Sequence, residues 1–298
     1  MPSVTSNGIS IHYESYGDPN DETVLLVMGL ATQLTAWPVD FCQGLVERGY
    51  HVVCFDNRDI GLSTHLNGEK TNNIPMLVAR RALNLPVSVS YLLEDMADDA
   101  IGLLDALAID QAHVVGASMG GMIAQLMAAI FPDRVKSLTS IMSTTGHRSL
   151  PGADLAARRA LLTTPEDPSS KESVVMRNAK VRQVLQSPIY PKDFEEIYDV
   201  ANAAYERSGY DPEGINRQLS AIVAAGHRRT LLRKVECPAL AILGAHDPLV
   251  KMECGIDTAQ HLSQAELLVL HGMGHDFPAV LVGAMVDRIH ATARRSAV

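Results

Sequence analysis

The sequence lacks most of the features that would tie a 298-residue chain to nucleic acid, membrane or metal. Lysine and arginine number 25 against 34 acidic residues, a formal charge of −9, and no basic run offsets this; a phosphate backbone would be repelled. No stretch approaches the roughly 18 apolar residues of a membrane span. The opening MPSVTSNGIS has neither a basic n-region nor an apolar h-region, which predicts no secretory leader and a cytoplasmic protein. The four cysteines, Cys42, Cys54, Cys237 and Cys254, never fall in C-x-x-C spacing. Zinc-ribbon and thioredoxin readings therefore fail, and no metal is expected. There is one tryptophan, Trp37.

What is present is a globular mixture, 47% hydrophobic and 20% charged. The length suits one large or two small domains and needs neither disulfide nor metal to hold a core. Val4 to Tyr16 reads as two short strands around Asn7-Gly8, a pair suited to a tight hairpin turn. Continuous apolar runs at Val24–Met28, His51–Phe55, His113–Ala117, Leu138–Met142, Ala239–Leu243 and Leu267–Leu270 read as strands covered on both faces. Helical patterns fall between them: Phe41–Arg48, Tyr91–Ala108, Met119–Phe131 and Pro278–Ala293. This alternation predicts an α/β fold with a mostly parallel sheet and right-handed crossovers. It lapses between Thr145 and Leu232, where helices are broken by Pro165, Pro168, Pro188, Pro191 and Pro212. The expected organisation is a core of residues 1–144 and 233–298 with a helical cap, 145–232, inserted over the sheet.

Gly116-Ala-Ser118-Met-Gly120 is a G-x-S-x-G between a strand run and a helix run. A nucleophile on so tight a turn wants glycine two positions either side, where side chains would collide with it. The turn would lift the Ser118 hydroxyl above the sheet at a helix N-terminus, where developing negative charge is favoured. A serine hydroxyl needs a base. Of the 11 histidines, His275 follows the last strand run at the edge where Ser118 emerges, whereas His51 and His113 start their strands at the opposite edge. The base needs an orienting carboxylate. Leu138–Met142 is followed by Ser143, Thr144 and Thr145, with no acid; Ala239–Leu243 is followed by Gly244-Ala-His-Asp247-Pro. Asp247 is thus the orienting acid, and the order Ser118, Asp247, His275 is that of one hydrolase fold. The oxyanion donors are assigned by position to the backbone N–H groups of Met119 and Leu30.

These residues resemble the α/β-hydrolase superfamily over nearly the whole chain. Val24-Leu-Leu-Val-Met-Gly29, Trp37-Pro38 and Asp56-Asn-Arg58-Asp-Ile-Gly61-Leu-Ser63 look most similar to aclacinomycin methylesterase-type hydrolases. The resemblance implies an eight-stranded sheet, a helical lid and a Ser–His–Asp triad without cofactor, with Ser118, His275 and Asp247 in those roles. One departure is Met28-Gly29, where many members carry His-Gly. Gly29, Trp37, Tyr190 and Tyr198 are candidate substrate contacts. Trp37 reads equally as an acyl-pocket wall or as packing under the lid. Arg58 and Asp59 are expected to pin their loop by an ion pair. The function expected is cleavage of a small-molecule carboxylic ester through an acyl-enzyme. Alternatives with the same triad are a lactonase, amidase, perhydrolase or C–C hydrolase; from another class, a hydrolase-like small-molecule receptor. Haloalkane dehalogenases and epoxide hydrolases are disfavoured, because they place Asp where Ser118 stands. The partner expected is a small-molecule ester, with no nucleic acid and no membrane span; a homodimer is compatible with the sequence.

Overall fold

The computed structural model describes residues 2–297, so Met1 and Val298, the two ends of the expected core, lie outside it. Among the described residues the chain forms eight strands and eleven α-helices. The strands are β1 (Ser3–Ser6), β2 (Ile9–Tyr16), β3 (Glu22–Val27), β4 (Tyr50–Phe55), β5 (Ala112–Ala117), β6 (Val135–Ile141), β7 (Ala239–Gly244) and β8 (Ala265–Leu270). The helices are α1 (Val39–Val46), α2 (Ile74–Ala82), α3 (Leu93–Ala106), α4 (Met119–Ile130), α5 (Leu155–Leu162), α6 (Lys171–Leu185), α7 (Phe194–Ser208), α8 (Pro212–Ala224), α9 (Arg229–Leu232), α10 (Met252–His261) and α11 (Ala279–Arg294). No helix among the described residues is long and apolar enough to cross a membrane.

All eight strands join one sheet in the order β1-β2-β4-β3-β5-β6-β7-β8. β1 and β2 pair antiparallel, as do β2 and β4; every other pair is parallel. The first hairpin turns on Asn7 and Gly8 with φ of 48° and 79°, both left-handed as a two-residue turn of this kind requires.

Successive side chains of a strand face opposite ways, so a strand apolar at every position needs a cover on each face. β3 receives both. Leu25 and Val27 join a core layer with α3 and α4, while Val24 and Leu26 join a second layer with α1 and α11. On α3, the stripe of Leu93, Met96, Ala97, Ala100 and Leu104 is buried against the first layer. β8 departs from the expectation of full burial. It ends the sheet, and its Leu267 and Val269 stand 42% exposed. A terminal strand has a neighbour on one side only, and no helix fully closes its outer face.

Between β6 and β7 lie α5 to α9 and no strand. α6 and α7 pack together through Val175, Ala179, Ile197 and Ala201. α9 lies against α4 and α10, and Leu232 joins the first core layer.

Candidate active site

β3 has β4 on one side and β5 on the other, so the chain winds outward in both directions from this pair. The carboxyl ends of strands at such a switch point open a crevice where ligands bind in open α/β sheets. Four non-glycine residues with left-handed φ sit within four residues of the ends of the adjacent strands β4, β3, β5 and β6: Asp59 (66°), Ala31 (54°), Ser118 (55°) and Met142 (41°). Each such conformation costs roughly 1–3 kcal/mol and persists only where the surroundings impose it.

Ser118 stands between β5 and α4 with φ 55° and ψ −117°. Its amide donates to the Ile141 carbonyl at 2.9 Å, and its carbonyl accepts from the Ser143 hydroxyl at 2.7 Å and the Met122 amide at 3.2 Å. The two glycines of the motif are required by close approach of backbone on backbone. A Cβ on Gly116 would lie 2.1 Å from the Gly120 carbonyl oxygen, and one on Gly120 would lie 2.0 Å from that of Val27. The turn is so tight that α4 rests directly on the backbone of β5 and β3.

The three residues expected to act together meet. His275 Nε2 lies 3.0 Å from Ser118 Oγ, and its Nδ1 lies 2.7 Å from Asp247 Oδ2. A carboxylate only accepts, so Nδ1 carries the proton and Nε2 is left to accept from the serine hydroxyl. The other oxygen of Asp247 accepts from the Leu249 and Val250 amides, each at 2.8 Å. The Asp247 side chain is fully buried and that of His275 is 9% exposed, so water competes little for these bonds.

The loop carrying His275 is fastened to the end of α6. The His275 amide donates to the Leu185 carbonyl at 2.8 Å, and the Gly274 amide to Ser187 Oγ at 2.8 Å. The Ser187 hydroxyl in turn donates to Asp276. Burial pushes the Asp276 carboxyl above its ordinary value, against the Ser187 bond that favours the charged form. None of this was visible in the sequence, since Ser187 lies 88 residues before His275 with no spacing motif.

The turn after β3 closes on the serine. A Cβ on Gly29 would lie 3.1 Å from Ser118 Cβ. The Met28 carbonyl accepts from Asn57 Nδ2 at 2.9 Å and the Leu30 carbonyl from the Thr32 hydroxyl at 2.9 Å. Met119 opens α4, and its amide, like the first amides of any helix, has no acceptor within the helix.

The remaining expected contacts divide. Trp37 is 4% exposed and packs on Phe41 and Phe277, ring centroids 5.1 and 5.2 Å away, inside the second core layer. Tyr198 packs with α6 and α7. Tyr190 lies over Gly272, three residues before His275, where an added Cβ would meet its ring at 2.9 Å. Arg58 and Asp59 do not pair with each other. Arg58 binds Asp99 at 2.6 Å, and Asp59 binds Arg217 of α8 at 2.8 and 2.9 Å. Neighbouring residues on a sharp loop point apart, so each finds a partner on a different element. Among the described residues, one group has metal-ligating atoms close together: Asp59, His65 and Asp211. The Arg217 guanidinium already lies against both of its carboxylates, supplying the positive charge there.

A buried catalytic-type Ser–His–Asp array on an eight-stranded, mostly parallel sheet defines a hydrolase, and the chain belongs to the alpha/beta hydrolase fold family, whose model matches residues 22–170. Over 99% of its length it is 26% identical to rhodomycin D methylesterase DnrP of Streptomyces peucetius, covering 98% of that protein. It is 25% identical to 3-oxoadipate enol-lactonase 2 of Acinetobacter baylyi, with 90% of this chain and 87% of the relative aligned. Among solved structures it resembles a 2-hydroxy-6-oxo-6-phenylhexa-2,4-dienoate hydrolase from a Rhodococcus strain, with a TM-score of 0.73 at 19% identity, covering 98% of this chain and 99% of the other.

Proposed function

We propose that this protein hydrolyses carboxylic esters of small molecules through an acyl-enzyme on Ser118, beneath a lid formed by helices of the segment 145–232. One observation carries the reading: a single imidazole, His275, within hydrogen-bond reach of both Ser118 Oγ and Asp247. Nε2 takes the hydroxyl proton as Oγ attacks the ester carbonyl carbon. The resulting oxyanion meets the Leu30 and Met119 N–H groups. The tetrahedral intermediate collapses, the C–O bond to the alcohol breaks, and His275 returns the proton to the departing oxygen. Water then enters by the same steps in reverse order, freeing the acid and Ser118. Asp247 holds the imidazole in the productive tautomer and stabilises the imidazolium. Likeness to a methylesterase over nearly the full length, and to an enol-lactonase over 90% of the chain, supports an oxygen ester as the bond cleaved.

The test is Ser118→Ala with p-nitrophenyl butyrate and a fluorophosphonate probe. Turnover should fall by more than about a thousandfold in a protein that remains folded, with probe labelling lost. Retained turnover would remove Ser118 from its role. Tight binding of esters by the wild type, without labelling or turnover, would instead make the protein a receptor.

A further inference from the structure

The oxyanion turn stands on the sheet, yet part of its support comes from α8. We infer that Gln218 of α8 is a positioning residue for the Gly29–Ala31 turn and hence for the Leu30 N–H; this rests on the ester-hydrolase reading above. Gln218 is fully buried, and its carboxamide is used at both ends. Oε1 accepts from the Ala31 amide at 2.9 Å, and Nε2 donates to the Arg58 carbonyl at 2.7 Å. The reverse orientation would set donor against donor and acceptor against acceptor, so the amide has one setting. A single side chain thereby joins the turn after β3 to the loop after β4.

The turn needs such a hold. Gly29 is conformationally free, and Ala31 sits at φ 54°, which a non-glycine residue leaves readily unless restrained. The Thr32 hydroxyl on the Leu30 carbonyl and Gln218 on the Ala31 amide occupy both polar groups of one peptide unit, fixing its plane. The preceding peptide unit, which carries the Leu30 N–H, can then turn only about the Gly29 Cα–C and Leu30 N–Cα bonds, and Ser118 packs close beside Gly29.

α8 itself cannot slide to relax this clamp. Asn216 pairs with both backbone polar groups of Asn72 at 2.9 Å. Arg217 grips Asp59 through two bonds, with both side chains fully buried. Those two residues anchor the helix without Gln218. The additional effect of the Gln218 carboxamide is therefore on the orientation of the turn. An oxyanion donor acts by being aimed in advance at the charge that develops, so loosened aim weakens the transition state more than substrate binding.

The experiment is Gln218→Met, which keeps length and burial and removes both bonds, assayed with p-nitrophenyl butyrate and a trifluoromethyl ketone inhibitor. We expect kcat to drop by about tenfold or more with KM within about twofold. Affinity for the ketone, whose adduct carries the oxyanion, should fall in step with kcat/KM. Wild-type kcat in folded Gln218→Met overturns the proposal, as does a change confined to KM. Should that variant not fold, Thr32→Val on the same peptide unit and hydrogen exchange of the wild-type Ala31 amide decide. A lowered kcat at unchanged KM with a slowly exchanging Ala31 supports the clamp. An unaltered kcat, or an Ala31 amide exchanging as freely as an open loop, overturns it. Full turnover in Ser118→Ala would instead sink the underlying ester-hydrolase reading. A dead Ser118→Ala beside a fully active Gln218→Met would sink only the positioning role.

Discussion

Asp247 accepts from an imidazole and from two backbone amides while out of contact with water. Asp247→Asn would keep the shape and the burial. Its amide would set an N–H against one of these donors and favour the wrong imidazole tautomer, so kcat should fall by about ten-thousandfold with folding intact. Steady-state kinetics beside circular dichroism would check both halves. Gly120→Ala belongs to the same scale but acts on stability. The new Cβ would stand 2.0 Å from a backbone oxygen of β3, which has no rotamer to yield with. A loss of about 3 kcal/mol or more in denaturant unfolding is expected, or failure to fold. Ser118, Asp247 and His275 were legible in the sequence because each follows a recognisable strand run, and strand ends in such a sheet share an edge. Gln218 and Ser187 were not, because a polar residue in a helix or loop reads as solvated until tertiary packing buries it.

Among the elements, β3 to β8 were legible as runs that are largely apolar, and β1 and β2 as a hairpin around Asn7-Gly8; the strand order was not. The helix stripes between them follow from the 3.6-residue period. β8 shows where that inference stops: an apolar run records covering on both faces only if the strand has neighbours to cover it. α8 is held by buried polar contacts as well as by Ala221 and Ile222 in the first core layer. Its Arg217 and the facing Asp59 are both fully buried, and the Leu66 amide adds a bond to Asp59 Oδ1 at 2.8 Å. Arg217→Met would leave a buried carboxylate without its cation, costing about 3–5 kcal/mol. Combining it with Asp59→Asn should restore part of that loss. A double-mutant cycle in urea measures the coupling, and strictly additive losses would show that the pair is not a unit.

For the whole molecule, a titration far from the site should contribute to acid sensitivity. His113 lies at the amino end of β5, fully buried between Tyr50 and Ser137. Burial lowers its pKa from 6.5 to about 4. The nearest carboxylate, Glu22, is 3.6 Å from Nε2 and half-exposed, so it offsets little. The unfolded chain therefore takes up this proton near pH 6.5, and the folded protein only near 4. The stability of the neutral, buried form is complete above pH 6.5. It declines by about 1.4 kcal/mol per pH unit as acid is added through that window. Urea unfolding at about pH 7 and about pH 4.5 should show His113→Gln losing about 2–3 kcal/mol less than the wild type. Equal losses would mean that the group is not buried as described.

The attachment of α6 to the His275 loop and of α8 to the turn beside Ser118 also bears on how this scaffold diversifies. Helices that merely roofed a pocket could be exchanged between relatives like interchangeable parts. Here a transplanted set lacking the Ser187 and Gln218 side chains, or placing the backbone carbonyl of Leu185 elsewhere, should give chimaeras with a slackened site. Successful recombination should keep these three attachment points from the recipient and borrow only the residues between them.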